Sequence, residues 1–289
     1  MKMTIIPRAD GITHVVLAGR LDSNAAEEIS ESFFQATVAR GQSAIVDLSE
    51  VDFMVSRGIG LFLINGGKLR KAGHTLVVLN PQALVKDGLK TTRADRVTPI
   101  ASDWDEAIRL VHGGSAAATT ANRPLTATAD KSESAQAESE LEVPSVLEGE
   151  LKLEIKNEVA ELKTVMTTLA EFLEVHRVPH RAAYATSLAV DELVMNVIRY
   201  AYVDDDAHTI GLDLAIREGQ IILRFVDDGR PFDPRTGPAL DLNAEERQAG
   251  GMGLLLVLDM VDVLTYQRVN ERNCVEVRIR LFEDKPSDQ

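Results

Sequence analysis

Hydrophobic and polar positions follow two different patterns along the chain, and the first pattern occupies the N-terminal part. Short apolar runs there, such as ITHVVLA and AIVDL, are typical of strands, and the stretches between them have the spacing of amphipathic helices. Strands that alternate with helices indicate an α/β layer with crossover connections. The predicted strands are 12–18, 44–48 and 75–79, and the predicted helices follow residue 21, cover about 57–72 and cover 103–111.

Residues with strong local preferences mark the ends of these first helices. Ser23 or Asn24 can cap the first helix, because both side chains accept hydrogen bonds from free backbone N–H groups. Gly41 and Gly73 follow the first and second helices, where glycine commonly ends a helix.

The C-terminal part has a different order of elements. LKLEI at 151–155 predicts a strand, and Asn157 is placed to cap a long helix that reaches about residue 176. Pro179 interrupts the helical pattern, so a second helix is expected over about 181–202. Two long helices beside a mostly antiparallel sheet predict a two-layer α/β sandwich. Its remaining strands are expected at 209–216, 220–226, 263–269 and 275–281, with a helix at about 252–261.

The segment between the two parts differs in composition from both. Residues 113–148 are rich in Ala, Ser, Thr and Glu, lack aromatic residues and show no helical or strand period. Such a segment buries too little apolar surface to offset the entropy of ordering it. The sequence therefore predicts a domain at 1–112, a flexible linker at 113–147 and a domain at 148–289. A flexible linker of this length has a root-mean-square reach of roughly 30–35 Å.

Net charge, cysteine content and the length of apolar runs argue against nucleic-acid-binding, disulfide-stabilised and membrane-spanning proteins. The chain has 31 Lys and Arg against 45 Asp and Glu, a formal net charge of −14, which argues against direct binding of nucleic acid. The single cysteine, Cys274, cannot form an internal disulfide, and no apolar run is long enough to span a membrane. The N-terminus does not resemble a signal peptide. A cytoplasmic protein without membrane partners is the expectation.

Three motifs of the C-terminal part could together bind a nucleotide. Glu192 and Asn196 are four residues apart in a predicted helix and so share one face, where a carboxylate and a carboxamide could act on a hydroxyl and on Mg²⁺. Asp227 ends a predicted strand two residues before Gly229. A glycine-rich helix start then offers backbone N–H groups to phosphates, at Gly250, Gly251 and Gly253.

These motifs, in this order, resemble the GHKL (Bergerat) ATP-binding fold. DELVMNVIRYAY, VDDGRPFDP and GGMGLLLVLDMVDVLTY are most similar to the anti-sigma-factor serine kinases. The resemblance implies that ATP and Mg²⁺ are used. It implies Glu192 as the catalytic base that acts on the acceptor hydroxyl, and Asn196 as the Mg²⁺ ligand.

The same resemblance implies roles around the nucleotide. Asp227 would accept the adenine amino group, with Gly229 giving clearance. Gly251 and Gly253 would close the phosphate end under a lid at about 230–250, and Arg247 is the candidate lid arginine for the γ-phosphate. One departure is Tyr200, which stands where these kinases often have a histidine.

The N-terminal part resembles a second family. AGRLDSNAAEEI and VDLSEVDFMVSRGIGLFL are similar to the STAS domain of anti-sigma-factor antagonists, so the expected order is a STAS-type α/β domain and then the ATP-binding sandwich. In that family a serine at this helix start is phosphorylated by the partner kinase, and Ser56 is the matching position. Ser56 is equally compatible with a simple N-cap. Val55 stands where the family usually has aspartate, and Arg57 follows.

The combination predicts an ATP- and Mg²⁺-dependent protein serine kinase and anti-sigma-type regulator of a partner-switching pathway. The STAS-like part would be its substrate or regulator, and the partners would be a sigma factor or equivalent target and a separate STAS antagonist. A homodimer is compatible with the resemblance, as kinases of this type often dimerise. The alternative is a non-catalytic ATP-binding module that sequesters a partner. A sensor histidine kinase is disfavoured, since His176 and His180 flank a helix break and are expected at caps or on the surface.

Overall fold

A computed structural model describes residues 1–8, 10–113, 146–204, 206–236 and 252–282 of the 289-residue chain. Two sheets organise these residues. The first is five-stranded with the order β1-β2-β3-β4-β5, in which β1 and β2 are antiparallel and the other neighbours are parallel. Its elements are β1 Lys2–Ile6, β2 Thr13–Leu21, α1 Ser23–Ala36, β3 Ala44–Met54, α2 Ser56–Lys71, β4 Leu76–Leu79, α3 Ala83–Thr91, β5 Ile100–Ala101 and α4 Trp104–Gly113.

The second sheet is antiparallel throughout, with the order β6-β7-β8-β10-β9. Two long helices, α5 and α6, accompany it, and the predicted two-layer sandwich is confirmed. Its elements are β6 Gly149–Lys156, α5 Val159–Val175, α6 His180–Tyr200, β7 Thr209–Arg217, β8 Gln220–Asp227, α7 Met252–Met260, β9 Val263–Val269 and β10 Arg272–Arg280.

Several predicted boundaries were wrong in the N-terminal half. β3 continues to Met54, beyond the short apolar run that indicated it, and so brings the chain directly to the start of α2. The sequence reasoning also missed β1, α3 and the two-residue β5. Short elements such as these give too few positions for a period to be recognised.

The predicted helix caps were also wrong. Asp22, not Ser23 or Asn24, caps α1, and its side chain accepts a hydrogen bond from the Ala25 amide. Asn157 does not cap α5. Its side chain instead accepts from the His208 amide and so ties the end of β6 to the segment before β7.

The buried apolar side chains of both halves form one continuous core cluster. The helices α2 and α3 of the N-terminal half pack against α7 of the C-terminal half. The other face of the first sheet is covered by α4, whose Trp104 lies over a smaller apolar cluster. The two halves therefore meet along one side of the first sheet, and this is the side on which α2 begins.

Candidate functional site

A cavity of about 430 Å³ lies in the C-terminal half between α6, the ends of β8 and β10, and α7. Its walls are mostly apolar, with polar groups at a few points, and both its volume and its lining are typical of small-molecule sites. The residues that line it are Leu193, Asn196, Val197, Tyr200, Ala201, Phe225, Asp227, Arg230, Pro231, Phe232, Pro234, Leu254, Asn273 and Val275.

Asp227 provides a fixed acceptor in this cavity. It ends β8 and is buried, and its Oδ1 accepts from the Gly229 amide at 2.9 Å and from Asn273 Nδ2 at 2.8 Å. Burial raises the pKa of the Asp227 carboxyl, and the bond from Asn273 opposes that rise. Because these bonds occupy one oxygen, the other can accept a hydrogen bond from a ligand such as an adenine amino group.

Asn273 holds Asp227 in place, and the sequence reasoning did not find it. Its Nδ2 also donates to the Arg230 carbonyl at 2.9 Å, while its Oδ1 accepts from Tyr266 and Arg268. The predicted strand begins at 275, two residues after Asn273, and so leaves Asn273 in a turn. The true strand begins at Arg272, so Asn273 pairs directly with Asp227 across the ladder. The contact follows from the register of β10 against β8, which the predicted start of the strand did not provide.

Gly229 is required by the close approach of two backbone segments. A Cβ at this position would lie 2.5 Å from the Ala201 Cβ and 2.9 Å from the Ala201 carbonyl oxygen. The clearance that this glycine gives is therefore toward the end of α6, which closes one side of the cavity.

Asn196 and Glu192 lie on one face of α6 as predicted, but in different surroundings. Asn196 is half-buried and lines the cavity. Glu192, one turn earlier, is 6% exposed and faces the N-terminal half of the chain. Within the described ranges, His, Cys, Asp and Glu form no cluster of three that could hold a metal ion. Asn196 offers one amide oxygen, so a Mg²⁺ ion held there would take its other oxygen ligands mostly from phosphates and water, as Mg²⁺ commonly does.

Glu192 receives both hydrogen-bond donors of Ser56. The Ser56 hydroxyl donates to Glu192 Oε2 at 2.9 Å, and the Ser56 amide donates to Oε1 at 2.7 Å. Ser56 is the first residue of α2, and the capping position is taken by Val55, whose side chain makes no capping bond. Of the two interpretations of Ser56, the one as an N-cap of α2 is therefore wrong, because its hydroxyl is directed to the other half of the molecule.

The surroundings of Glu192 change the basicity of its carboxyl. Burial raises the pKa of its carboxyl, and the two bonds from Ser56 work in the opposite direction. A carboxylate with a raised pKa is a stronger proton acceptor than an exposed one. Because it already bonds a hydroxyl, it has the position that general-base catalysis needs.

Gly253, in the first turn of α7, leaves room for this pair. A Cβ there would lie 1.9 Å from Glu192 Oε2 and 3.2 Å from the Ser56 Oγ. The glycine predicted for the phosphate end of the site therefore lies against both the carboxylate and the hydroxyl. Gly250, Gly251 and Arg247 lie outside the described residues, as do 237–250 of the predicted lid and nearly all of the predicted linker.

Further contacts hold the two halves together around this pair. The Tyr184 hydroxyl donates to the Met54 carbonyl at 3.0 Å, and its ring packs on Phe53 with centroids 4.9 Å apart. Asp191, the neighbour of Glu192, accepts from both the amide and the hydroxyl of Ser23. Sequence reasoning singled out neither Tyr184 nor Asp191, because each becomes informative only when the opposite half is in place.

The histidines and the cysteine considered in the sequence lie at a helix cap, at a helix start and in a strand. His176 is the C-cap residue of α5, where its Nδ1 contacts the Phe172 carbonyl, and His180 is an exposed residue at the start of α6. Cys274 is a half-buried residue of β10. Among the described residues, no helix has both the length and the apolar character needed to cross a membrane.

Comparison with known proteins supports both resemblances. The family model of the STAS domain matches residues 4–107, and that of the histidine kinase-like ATPase domain matches residues 155–279. The serine/threonine-protein kinase BtrW of Bordetella bronchiseptica is 29% identical over 90 residues, which are 30% of this chain and 63% of that kinase. The chain thus spans less than two thirds of the length of this relative.

Two solved structures are similar to parts of the chain. An anti-sigma factor antagonist from Mycobacterium paratuberculosis is 23% identical, with a TM-score of 0.35, and the match covers 38% of this chain and 95% of that one. The RsbU and RsbW domains of a Mycobacterium tuberculosis protein are 17% identical, with a TM-score of 0.34, and the match covers 46% of this chain and 32% of that one. From the two family models, this chain joins an N-terminal STAS domain to a C-terminal histidine kinase-like ATPase domain.

Proposed function

We propose that the chain is an ATP-dependent protein serine kinase that phosphorylates Ser56 of its own STAS domain. The observation that carries the proposal is the buried contact of 2.9 Å between the Ser56 hydroxyl and Glu192 Oε2. A hydroxyl in this contact has its proton directed at a base before any reaction begins. Position and charge neutralisation are the main contributions a protein makes to phosphoryl transfer.

The cavity beside this pair supports ATP as the phosphate source. Asn196 and Asp227 line it together with apolar side chains, as expected for an adenine nucleotide with its phosphates toward α6 and α7. ATP bound there with Mg²⁺ supplies the phosphoryl group and the charge neutralisation. Glu192 takes the proton of Ser56, the Ser56 oxygen forms the new bond to phosphorus, and the bond between that phosphorus and ADP breaks.

Covalent connection of the two domains favours transfer within one chain. A tether of the length and composition of residues 113–147, if it behaves as the sequence predicts, would give the acceptor an effective concentration on the order of millimolar. The docked arrangement also buries apolar residues of α2 and α7 against each other, so it has a hydrophobic contribution to its stability.

Phosphorylation would end this arrangement. A phosphate on Ser56 carries close to two negative charges and would be placed against the buried Glu192 carboxylate. The resulting repulsion would release the STAS domain from the ATPase domain. We propose that this release controls which partner is held, with a sigma factor or equivalent target and a separate STAS protein as competing ligands. The acidic chain would bind a basic target surface favourably.

Incubation of the full chain with labelled ATP and Mg²⁺ tests the catalytic part of the proposal. Wild-type protein should gain one phosphate, mapped to Ser56 by mass spectrometry, and Ser56→Ala should gain none. Glu192→Gln keeps the size of the side chain but removes the base, so transfer should slow by about 10²–10⁴-fold. Nucleotide binding with no phosphate on Ser56 would instead support the non-catalytic module.

A further inference from the structure

Two consecutive carboxylates of α6 contact the first residues of two different helices in the STAS domain. Glu192 accepts from the amide and hydroxyl of Ser56 at the start of α2. Asp191 accepts from the amide and hydroxyl of Ser23 at the start of α1, with the amide bond at 3.2 Å. The second contact repeats the first, although only the first has a role in the proposed reaction.

This second contact is fully enclosed. Asp191 is 0% exposed and Ser23 is 2% exposed, so neither side chain can exchange its partner for bulk water. The amide of Ser23 is one of the N–H groups that α1 cannot pair internally, and a carboxylate at that end also interacts favourably with the helix dipole. One side chain thus satisfies two donors at the domain interface.

The stability of α1 by itself does not require this carboxylate. Asp22 already caps the helix and accepts from the Ala25 amide at 2.8 Å. Asp191 belongs to the other domain, and burying it beside Glu192 is costly unless donors compensate. Burial raises the pKa of Asp191, in agreement with that cost. Among the residues that the structure describes, the donors come from Ser23, so this compensation requires a STAS domain docked in this orientation.

We propose that Asp191 is a specificity-determining residue that recognises the first residue of α1 and so positions Ser56 on Glu192. The inference rests on the proposed kinase function and names its substrate class. Acceptors are STAS domains with a hydroxyl residue at the start of both α1 and α2. Contacts at two helix ends fix the rotation of the acceptor domain, which a single contact at Ser56 leaves open. Ser23 is an anchor and is not phosphorylated.

The full chain with and without changes at this contact provides the test. Hydrogen exchange of the α2 start, measured without nucleotide, reports docking, and phosphate on Ser56 reports transfer. Ser23→Ala and Asp191→Asn should each raise exchange and slow transfer by at least about tenfold, as expected for loss of a charge-assisted hydrogen bond. Ser23→Thr keeps the hydroxyl and should stay within about threefold of wild type, a margin below the loss of one such bond.

Matched controls separate the contact from general effects of substitution. Ser30 is an exposed serine of the same helix, and Asp213 is an exposed carboxylate of β7. Ser30→Ala and Asp213→Asn should leave exchange and transfer unchanged. Nucleotide affinity should be unchanged in Ser23→Ala, because Ser23 does not line the cavity.

The outcomes distinguish this inference from the kinase proposal. If Ser23→Ala and Asp191→Asn both behave as wild type while Ser56→Ala abolishes labelling, the recognition role is wrong and the kinase stands. If wild type transfers no phosphate but both variants loosen docking, the contact stands as a docking determinant and the kinase proposal fails. Phosphate found on Ser23 would overturn its role as an anchor.

Discussion

A single added methyl group at Gly253 should disrupt the contact between Glu192 and Ser56. The Cβ of alanine would lie 1.9 Å from Glu192 Oε2, whereas ordinary contact begins at 3.4 Å. The carboxylate must therefore retreat by roughly 1.5 Å, and a displacement of about 1 Å can already cost about 10²-fold in rate. Both bonds from Ser56 end on this carboxylate, and hydrogen bonds to charged groups contribute about 1.5–3 kcal/mol each.

The intrinsic effect of Gly253→Ala on α7 has the opposite sign. Alanine has a higher helix propensity than glycine, by up to about 1 kcal/mol in a helix interior, so the change should not weaken α7, in whose first turn Gly253 lies. We therefore expect a chain that still folds and binds ATP but docks its STAS domain poorly. Phosphate transfer to Ser56 should fall by about 10²-fold or more.

Transfer kinetics with labelled ATP, a nucleotide-binding titration and the radius of gyration in solution measure these three effects. Gly67→Ala is the matched control, because Gly67 lies within α2 and a Cβ there meets no atom within 4 Å. Wild-type rates of transfer in Gly253→Ala would refute the reasoning. A loss of nucleotide binding that accounts for the whole defect would refute it as well.

Three further predictions concern other parts of the site. Asn273→Ala should weaken binding of a fluorescent ATP analogue by about tenfold, because Asp227 loses a buried donor worth about 1–3 kcal/mol; an unchanged dissociation constant would exclude the positioning role. Burial raises the pKa of Asp191 to about 7, so its contribution to folding is greatest below pH 4 and is lost as the pH rises toward 7. The free energy of unfolding in urea should therefore be lower at pH 7 than at pH 5, with a slope of up to about 1.4 kcal/mol per pH unit, and Asp191→Asn should reduce that slope. An equal pH dependence in wild type and Asp191→Asn would contradict this prediction. Tyr184→Phe removes the hydrogen bond to the Met54 carbonyl. For a bond worth about 1 kcal/mol, the population of molecules with undocked domains should increase about fivefold. An unchanged radius of gyration would show that this bond does not hold the domains together.

The sequence alone was sufficient to predict the two folds and to locate those site residues whose positions follow from a helix period or a strand end. Glu192 and Asn196 could be placed on one face because the period of a helix fixes it, and Asp227 because it ends an apolar strand. The partner of Asp227 could not be found, because its contact with Asn273 depends on the register of β10 against β8, and the predicted strand starts at 275, three residues after Arg272.

The contacts between the domains could not be predicted for a different reason. Ser23 and Asp191 are 168 positions apart and Ser56 and Glu192 are 136 positions apart, so no local period relates them. The local sequence pattern favours a purely structural role for both serines, as helix caps. Only the docked arrangement shows that Asp22 and Val55 hold the capping positions and that both serine hydroxyls are directed across the interface.

The central claim is that Ser56 receives phosphate from ATP bound in the same chain. The initial rate of Ser56 phosphorylation, measured by quantitative mass spectrometry across a wide dilution series at saturating ATP, tests it most directly. Transfer within one chain predicts a first-order rate constant that does not change with protein concentration. A rate constant that falls in proportion to dilution, or the absence of phosphate on Ser56 at every concentration, would contradict the account.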